Sequence, residues 1–440
     1  LVSAYIAAAV KAKVSLIEKH QMGGDCLNTG CVPSKALLRS AKLANELKKG
    51  TALGFTGVQG TVDFPAVMQR IQRVIADIEP HDSVERYTGL GVEVIQGEAK
   101  ILSPWSVEVN GQTLTSRNLI IAAGARPLVP KIPGLEQVQS YTSDSIWNLR
   151  EQPRWLLVLG GGPIGCELAQ AFQRLGSQVI QVELAERLLP REDADASELV
   201  LNSLRADGVD VRLQHRAERF ELVDGEQRMV ARRLDTGEEV TIAFDCVLLA
   251  LGRVANVTGY GVEELGLTVR PNGTLETDEY LATRLPNIYA VGDVTGPYQF
   301  THVAAHQAWY AAVNALFSGF KRFKVDYRVI PACTFTDPEV ARVGLSEGEA
   351  KAQNIAYEVT RYGIDDLDRA IADEAAHGFV KVLTVPGKDQ ILGLSIVGEH
   401  AGELLAEYVL AMKHGLGLNK ILGTIHTYPT MAEANKYAAG

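Results

Sequence analysis

The sequence predicts an α/β protein, and three stretches carry that expectation. An Ala-rich helical run, Leu1 to Val10, leads directly into the strand VSLIEK, and further on the apolar run WLLVL meets a Gly-rich turn, a helix and a second strand. After about Val329 the pattern changes to mixed strands and helices. The first two stretches show the alternation of buried strand and amphipathic helix that builds a doubly wound sheet. We therefore expect two Rossmann-like βαβ domains followed by a smaller α+β module.

Composition bounds the rest. With 440 residues, 46% of them hydrophobic and 22% charged, the chain is long enough for roughly three folded domains and is not disordered. A net charge of −10 argues against non-specific nucleic-acid binding. No run of about 18 uninterrupted apolar residues is present to span a bilayer. Five cysteines do not make a disulfide scaffold in a chain of this length; they suggest catalytic or redox thiols in a reducing compartment, the cytoplasm.

In a dinucleotide-binding βαβ unit, a strand and a GxGxxG turn precede the first helix, and an acidic residue ends the second strand to bind ribose hydroxyls. Glu18 fits that acidic position, so the Gly-rich turn is expected ahead of Leu1. The stretch from Gly23 to Lys35, GGDCLNTGCVPSK, then opens onto the helix-forming run ALLRSAKLANELKK, with Pro33 suited to a first turn. At such a helix start, exposed N–H groups and the positive end of the dipole make Cys31 ionise more readily than a free cysteine. Cys26 and Cys31 reach bridging distance only if the Leu-Asn-Thr-Gly segment between them distorts the first turn, which Gly30 eases. By spacing alone the pair also reads as two buried, unlinked cysteines.

The residues around them narrow the choice. GGDCLNTGCVPSK closely resembles the redox-active disulfide motif of the flavin-dependent pyridine nucleotide-disulfide oxidoreductases, the family of dihydrolipoamide dehydrogenase, glutathione reductase and mercuric reductase. The resemblance implies a Cys26/Cys31 disulfide, with Cys31 facing an FAD and Cys26 attacking the electron acceptor. It also implies FAD contacts at Glu18, Gly24 and Lys35.

After the redox helix we expect a Gly-rich loop at Gly54 to Gly60 and a long helix from Phe64 to about Tyr87. The strands GVEVIQGEAKIL and SVEVNGQTLTSRNLIIAAG should form a small antiparallel insertion. IIAAGARP, Ile120 to Pro127, resembles the family's return to the FAD domain, where Gly124 allows close backbone approach. Pro130 to Gly134 reads as a linker. A complete nucleotide signature follows in WLLVLGGGPIGCELAQAFQRLGSQVIQVE, where strand, Gly160, Gly162, Gly165, helix, second strand and Glu183 occur in the order a dinucleotide site needs. Pyrophosphate belongs at that helix N-terminus. Glu183 suits a free ribose 2′-hydroxyl and repels a 2′-phosphate, favouring NADH over NADPH; Arg187 nearby reads as a solvated charge.

Glu167 lies just inside the same helix, and the resemblance pairs it with Lys35 beside the flavin and the nicotinamide. A buried Lys and Glu are tolerable only as a pair, and a fixed cation stabilises the charge that reduction places on a flavin. Cys166, Cys246 and Cys333 show no metal-ligand spacing, no metal is expected, and each reads as a small buried apolar residue.

The strand CVLLALGRVAN, with Gly252, closes the second domain, and LPNIYAVGDVTG resembles the second FAD motif, in which Gly292 and Asp293 meet the ribityl chain. The segment FTHVAAHQAWYAA, with Ala304, resembles the helix facing the flavin pyrimidine; His302 and His306 are not assigned catalysis. IPACTFTDPEVARVGLSEGEA resembles the family's C-terminal interface domain, which implies a homodimer whose partner subunit completes the disulfide site.

In the family that completing motif reads His-x-His-Pro-Thr, with a glutamate five residues after the second histidine. Here the residues are His426, Thr427, Tyr428, Pro429 and Thr430, with Glu433 at the expected offset, so tyrosine stands at the base position. A phenol with a pKa near 10 is a poor base at neutral pH. Tyrosine there is similar to mercuric reductase, whereas Glu183 points towards the NADH-linked dihydrolipoamide dehydrogenase. The chain is expected to continue past Gly440, where a cysteine pair would decide between them.

Together these readings divide the chain into an FAD domain at 1–150, an NAD domain at 151–269, a return to the FAD domain at 270–328 and an interface domain at 329–440. The expected function is electron transfer from NADH through FAD and the Cys26/Cys31 disulfide to a small-molecule or disulfide acceptor, with Lys35, Glu167, Tyr428 and Glu433 in the machinery. The alternative is an FAD- and NAD-binding structural or regulatory protein without efficient turnover.

Overall fold

The computed structural model describes residues 1–58 and 60–440; of the expected loop at Gly54 to Gly60, Gln59 lies outside the described residues. The chain forms two compact units.

The first unit contains Leu1–Pro33, Gln69–Leu128 and Gly252–Asp326. Its opening helix, Val2–Ala9, leads into the strand Val14–Glu18, which pairs in parallel with Val92–Gln96. Leu119–Ile121 pairs in parallel with Ile288–Ala290, and Ala125–Pro127 pairs antiparallel with Arg253–Ala255. The helix Thr301–Phe317 packs on the opening helix, where Ser3 Oγ donates to Ala308 O at 2.8 Å. Ala4, Ala8, Met22, Tyr87 and Val92 close one apolar cluster; Ile121, Val262, Leu275, Ile288 and Val294 close another.

Two sequence expectations change here. The long helix from Phe64 stops at Ile78, and a separate helix, Val84–Gly89, follows. Pro80 offers no N–H to a continuing helix and clashes with the preceding turn, while Ser83 Oγ accepts from Arg86 N and starts the next helix. The antiparallel insertion is also smaller than expected. Only Ala99–Ser103, Ser106–Val109 and Gln112–Thr115 form it, because the flanking strands Val92–Gln96 and Leu119–Ile121 bury apolar residues in parallel pairs instead.

The second unit contains Ser34–Met68, Val129–Leu251 and Tyr327–Gly440. Its parallel sheet runs Asp210–Arg212, Gln178–Val182, Trp155–Leu159, Cys246–Leu249 and Ser140–Thr142. Central strands covered on both faces must be apolar throughout, and Leu156, Leu157, Val158, Val247 and Leu248 are each fully buried. The helix Pro163–Leu175 carries the chain from Trp155–Leu159 to Gln178–Val182, and Gly176 ends it in the left-handed conformation. A separate antiparallel sheet, His215–Val223, Glu226–Arg233 and Glu239–Phe244, carries alternating Arg and Glu on its exposed side.

The C-terminal portion of this unit is an antiparallel five-stranded sheet in the order Pro331–Thr334, Glu339–Gly344, Ile391–Gly398, Phe379–Thr384 and Glu358–Gly363. The helix Ala401–Lys413 lays Leu405 and Tyr408 onto it.

Candidate active site

Cys26 lies in the five-residue helix Gly24–Asn28, and Cys31 is the first residue of the helix Cys31–Lys49. So short a helix has little stability of its own, and the side-chain amide of Asn28 holds it by donating to Met22 O at 3.0 Å and Gly24 O at 2.9 Å. Gly30 lets the chain pass closely between the two helices, where a Cβ would lie a tight 3.0 Å from Asp25 O. No disulfide joins Cys26 and Cys31 in this structure. Cys31 is exposed with the Thr301 hydroxyl at 3.5 Å, and Cys26 is half-buried. A hydrogen bond with Cys31, then burial, holds the Cys26 thiol well above its ordinary pKa.

Asp25, beside Cys26, forms an ion pair with Arg253, a residue sequence reasoning missed. Arg253 also donates to Ala125 O at 2.9 Å, and its Nε lies 3.8 Å from Asp293 Oδ2. Burial pushes the Asp293 carboxyl up, and Arg253 partly offsets it. A partly desolvated carboxyl beside open backbone suits sugar hydroxyls. Gly24, Gly124 and Gly252 all take left-handed backbone with open space where a Cβ would stand. Gly292 donates its N–H to Gln307 Oε1 at 2.7 Å, and Ala304 is the near neighbour of the Cβ that Gly292 lacks. Glu18 ends its strand and accepts from His20 N at 2.9 Å. These residues fit an FAD. His302 stacks on Phe300 and His306 packs against Tyr310.

In the second unit Lys35, four residues after Cys31 in the same helix, places Nζ 2.8 Å from Glu167 Oε2. Glu167 is buried, and its other oxygen accepts from Phe335 N at 2.9 Å. Lys35 also lies over the Phe335 ring, 4.3 Å from its centre. Phe335 gave no local sequence signal, since its role depends on the strand before it reaching Glu167.

The Gly-rich turn is shaped for close approach. A Cβ at Gly160 would meet Ala250 O at 2.3 Å, and one at Gly165 would meet Gly160 O at 2.2 Å. At Gly162, the residue before the helix, a Cβ would meet open space, which leaves room for phosphate on the first N–H groups. Glu183 accepts from Gly161 N and, at 2.7 Å, from Ala185 N. Arg187 donates to Pro190 O at 3.2 Å. These residues fit a dinucleotide.

Cys166 and Cys246 are fully buried, and burial pushes each thiol up to about 12; Cys333 is only partly buried, not wholly as expected. Among the described residues no cluster suits a metal ion.

The C-terminal motif departs from expectation. Glu433 does not bond to Tyr428: it is buried and accepts from Thr430 N at 3.4 Å and Tyr437 Oη at 3.5 Å. The Tyr428 phenol is 66% exposed and donates to Asp368 Oδ2 at 3.0 Å. The His426 ring is enclosed, with Nε2 2.8 Å from Glu407 Oε1 and Nδ1 3.0 Å from Thr424 O. Neither Asp368 nor Glu407 was singled out from sequence, because neither sits at a motif offset.

Residues 1–308 match the family model for pyridine nucleotide-disulphide oxidoreductase, and residues 330–439 match the dimerisation domain of that family. A mercuric reductase from Bacillus cereus is 35% identical over 436 residues, covering 99% of this chain and 68% of that protein. A dihydrolipoyl dehydrogenase from Chlamydia trachomatis is 34% identical over 441 residues, covering 98% of this chain and 92% of that protein. Among solved structures, the HOCl-induced flavoprotein disulfide reductase RclA from Escherichia coli has a TM-score of 0.87 at 28% identity, covering 99% of this chain and 96% of that one. LpdA from Mycobacterium tuberculosis has a TM-score of 0.89 at 26% identity, covering 100% and 96%. The chain belongs to the pyridine nucleotide-disulphide oxidoreductase family, flavoenzymes that pass electrons from a nicotinamide nucleotide through FAD to a redox-active cysteine pair.

Proposed function

We propose that this protein is an NADH-linked member of the family in which Cys26 and Cys31 reduce a small-molecule or disulfide acceptor that needs no histidine base. The observation that carries the reading is the 2.8 Å pair of Lys35 and Glu167 on the helix that begins at Cys31. A structural or regulatory protein has no use for a cation held on a buried carboxylate one turn from a redox cysteine.

FAD, when bound, supplies two-electron exchange between hydride donor and dithiol. The chain's own residues hold and orient. Gly160, Gly162 and Gly165 seat the pyrophosphate of the nicotinamide nucleotide, and Glu183 takes the ribose 2′-hydroxyl. Glu18, Gly24, Gly124, Gly252, Gly292, Asp293 and Ala304 seat the flavin nucleotide. Lys35 supplies a fixed positive charge, oriented by Glu167. Cys26 presents its sulfur to the acceptor. Tyr428 stands where a base is needed for lipoamide-type exchange, and its phenol, held above its ordinary pKa by Asp368, favours acceptors that do not depend on strong proton abstraction.

We assign the FAD domain to 1–150 and 270–328, the NAD domain to 151–269 and the interface domain to 329–440, and read the working form as a homodimer. Cysteine usage supports a cytoplasmic setting; among the described residues no helix is long and apolar enough to cross a membrane.

The test is an anaerobic titration of the flavin-loaded protein with NADH and, separately, NADPH, followed by steady-state assays with lipoamide and with mercuric ion. NADH should give the long-wavelength thiolate–flavin band at two electrons per flavin. Flavin bleaching without that band removes the cysteines from the electron path, and turnover with neither nucleotide supports the structural or regulatory alternative.

A further inference from the structure

The family pattern expects the residue at position 428 to be oriented by a glutamate five residues later, and that glutamate is occupied elsewhere. Both Glu433 oxygens are taken up within the motif's own turn, one by Thr430 N and the other by Tyr437 Oη. The phenol of Tyr428 instead reaches Asp368, the first residue of the helix Asp368–Ala372, while Arg369 of that helix extends Nη1 to Pro429 O at 3.5 Å. Arg369 is itself braced by Asp373 at 2.5 Å, one turn on. Two consecutive side chains thus hold two consecutive residues of the C-terminal motif, one by its side chain and one by its backbone.

We propose that Asp368, not Glu433, is the positioning residue for Tyr428, and that its carboxylate fixes the direction in which the phenol presents its oxygen. The inference rests on the reading that Tyr428 serves the acceptor end of the reaction. With its proton given to Asp368, the Tyr428 oxygen turns its lone pairs away from the chain, so it offers an incoming acceptor a hydrogen-bond acceptor and not a proton. Glu433 keeps a separate task, tying Thr430 and Tyr437 within the motif's own turn. The charged groups around the phenol are consistent with this division: Asp368 has the largest influence on it, and Glu433 and Tyr437 add smaller effects of the same sign.

The experiment uses the flavin-loaded dimer carrying tyrosine labelled with carbon-13 at Cζ, with the Tyr428 resonance assigned by its loss in Y428F. Its titration is followed in wild type, D368A and E433Q, and NADH-driven reduction of dithiobis(nitrobenzoate), a disulfide whose thiolate leaves without being protonated, is measured for the same variants and for Y428F/D368A. D368A should bring the Tyr428 titration down towards that of an ordinary tyrosine, and E433Q should move it less. Turnover should fall about five- to tenfold in Y428F and in D368A, with the double variant no worse than either, because one hydrogen-bonded unit is removed in each case. A Tyr428 titration unmoved by D368A, or moved more by E433Q, overturns the assignment of Asp368. Turnover lowered in Y428F but unchanged in D368A overturns it as well. Turnover unchanged in Y428F, with the titration shifted by D368A, defeats the functional reading of Tyr428 while the Asp368–Tyr428 pair stands.

Discussion

Lys35 Nζ and Glu167 Oε2 lie 2.8 Å apart across 132 positions of sequence, with Glu167 almost wholly withdrawn from water and Lys35 partly open. Glu167 is held from its other side by Phe335 N, so its carboxylate serves two donors at once. Replacing it with alanine strands both. We expect Glu167→Ala to cost about 1–3 kcal/mol, chiefly from the unsatisfied Phe335 N–H, since the exposed share of Lys35 is screened by water. Glu167→Gln keeps an acceptor for that N–H and should lose less. Thermal unfolding of the flavin-loaded variants ranks them, and equal melting temperatures for Ala and wild type would contradict this account.

The two cysteines differ in what they touch. Cys31 starts its helix beside the Thr301 hydroxyl, and Cys26 is half-buried with its thiol raised by a hydrogen bond with Cys31. Cys31→Ser is expected to abolish the thiolate–flavin band with FAD still bound, whereas Cys26→Ser should keep it while losing turnover with acceptor. Absorbance spectra of the two variants after anaerobic reduction decide; a band that survives in Cys31→Ser removes that residue from the flavin side.

Glu183 already accepts two backbone N–H bonds, which aim its carboxylate from the end of the second strand. A ribose 2′-hydroxyl placed there would add a bond to a charged acceptor, and a 2′-phosphate would meet repulsion. Glu183→Ala should lower the NADH-to-NADPH ratio of kcat/KM by at least about tenfold. A ratio that stays constant places the selectivity elsewhere.

Lys381 is 2% exposed and lies 2.9 Å from Asp193, 2.8 Å from Asp195 and 3.0 Å from Glu347. Removing its charge leaves three carboxylates facing one another, so Lys381→Met should destabilise the protein by about 3–5 kcal/mol. Burial alone pushes the Asp193 and Glu347 carboxyls up, yet hydrogen bonds from Lys381 bring both below their ordinary values. Burial likewise pulls Lys381 down, and its three partners more than reverse it. The carboxylate contribution is complete above about pH 5 and fades as acid titrates through the lowered values; the lysine contribution is complete below about pH 10 and fades above it. Urea midpoints of wild type and Lys381→Met should therefore differ most between those limits and converge only as the pH falls through the lowered carboxylate values. A difference that does not shrink as acid titrates the carboxylates would mean the cluster is not the source.

What the sequence by itself determined was whatever short-range geometry encodes. The glycines at 160, 162 and 165 between an apolar strand and a helix can serve few purposes, and the turn they form depends on backbone freedom and contacts within about thirty residues. The same holds for the cysteine motif, where Gly30 and the helix start at Cys31 are local consequences of composition. The tertiary structure decided which distant charges meet. Arg253 reaches Asp25 and Asp293, Phe335 reaches Glu167, and Asp368 reaches Tyr428, because strand order and helix placement bring them together, and no periodicity along the chain records that order. Glu433 shows the same limit from the other side. It stands at the right offset from Tyr428, but offset sets only distance along the chain, and the local turn leads its carboxylate to Thr430 N and Tyr437 Oη instead.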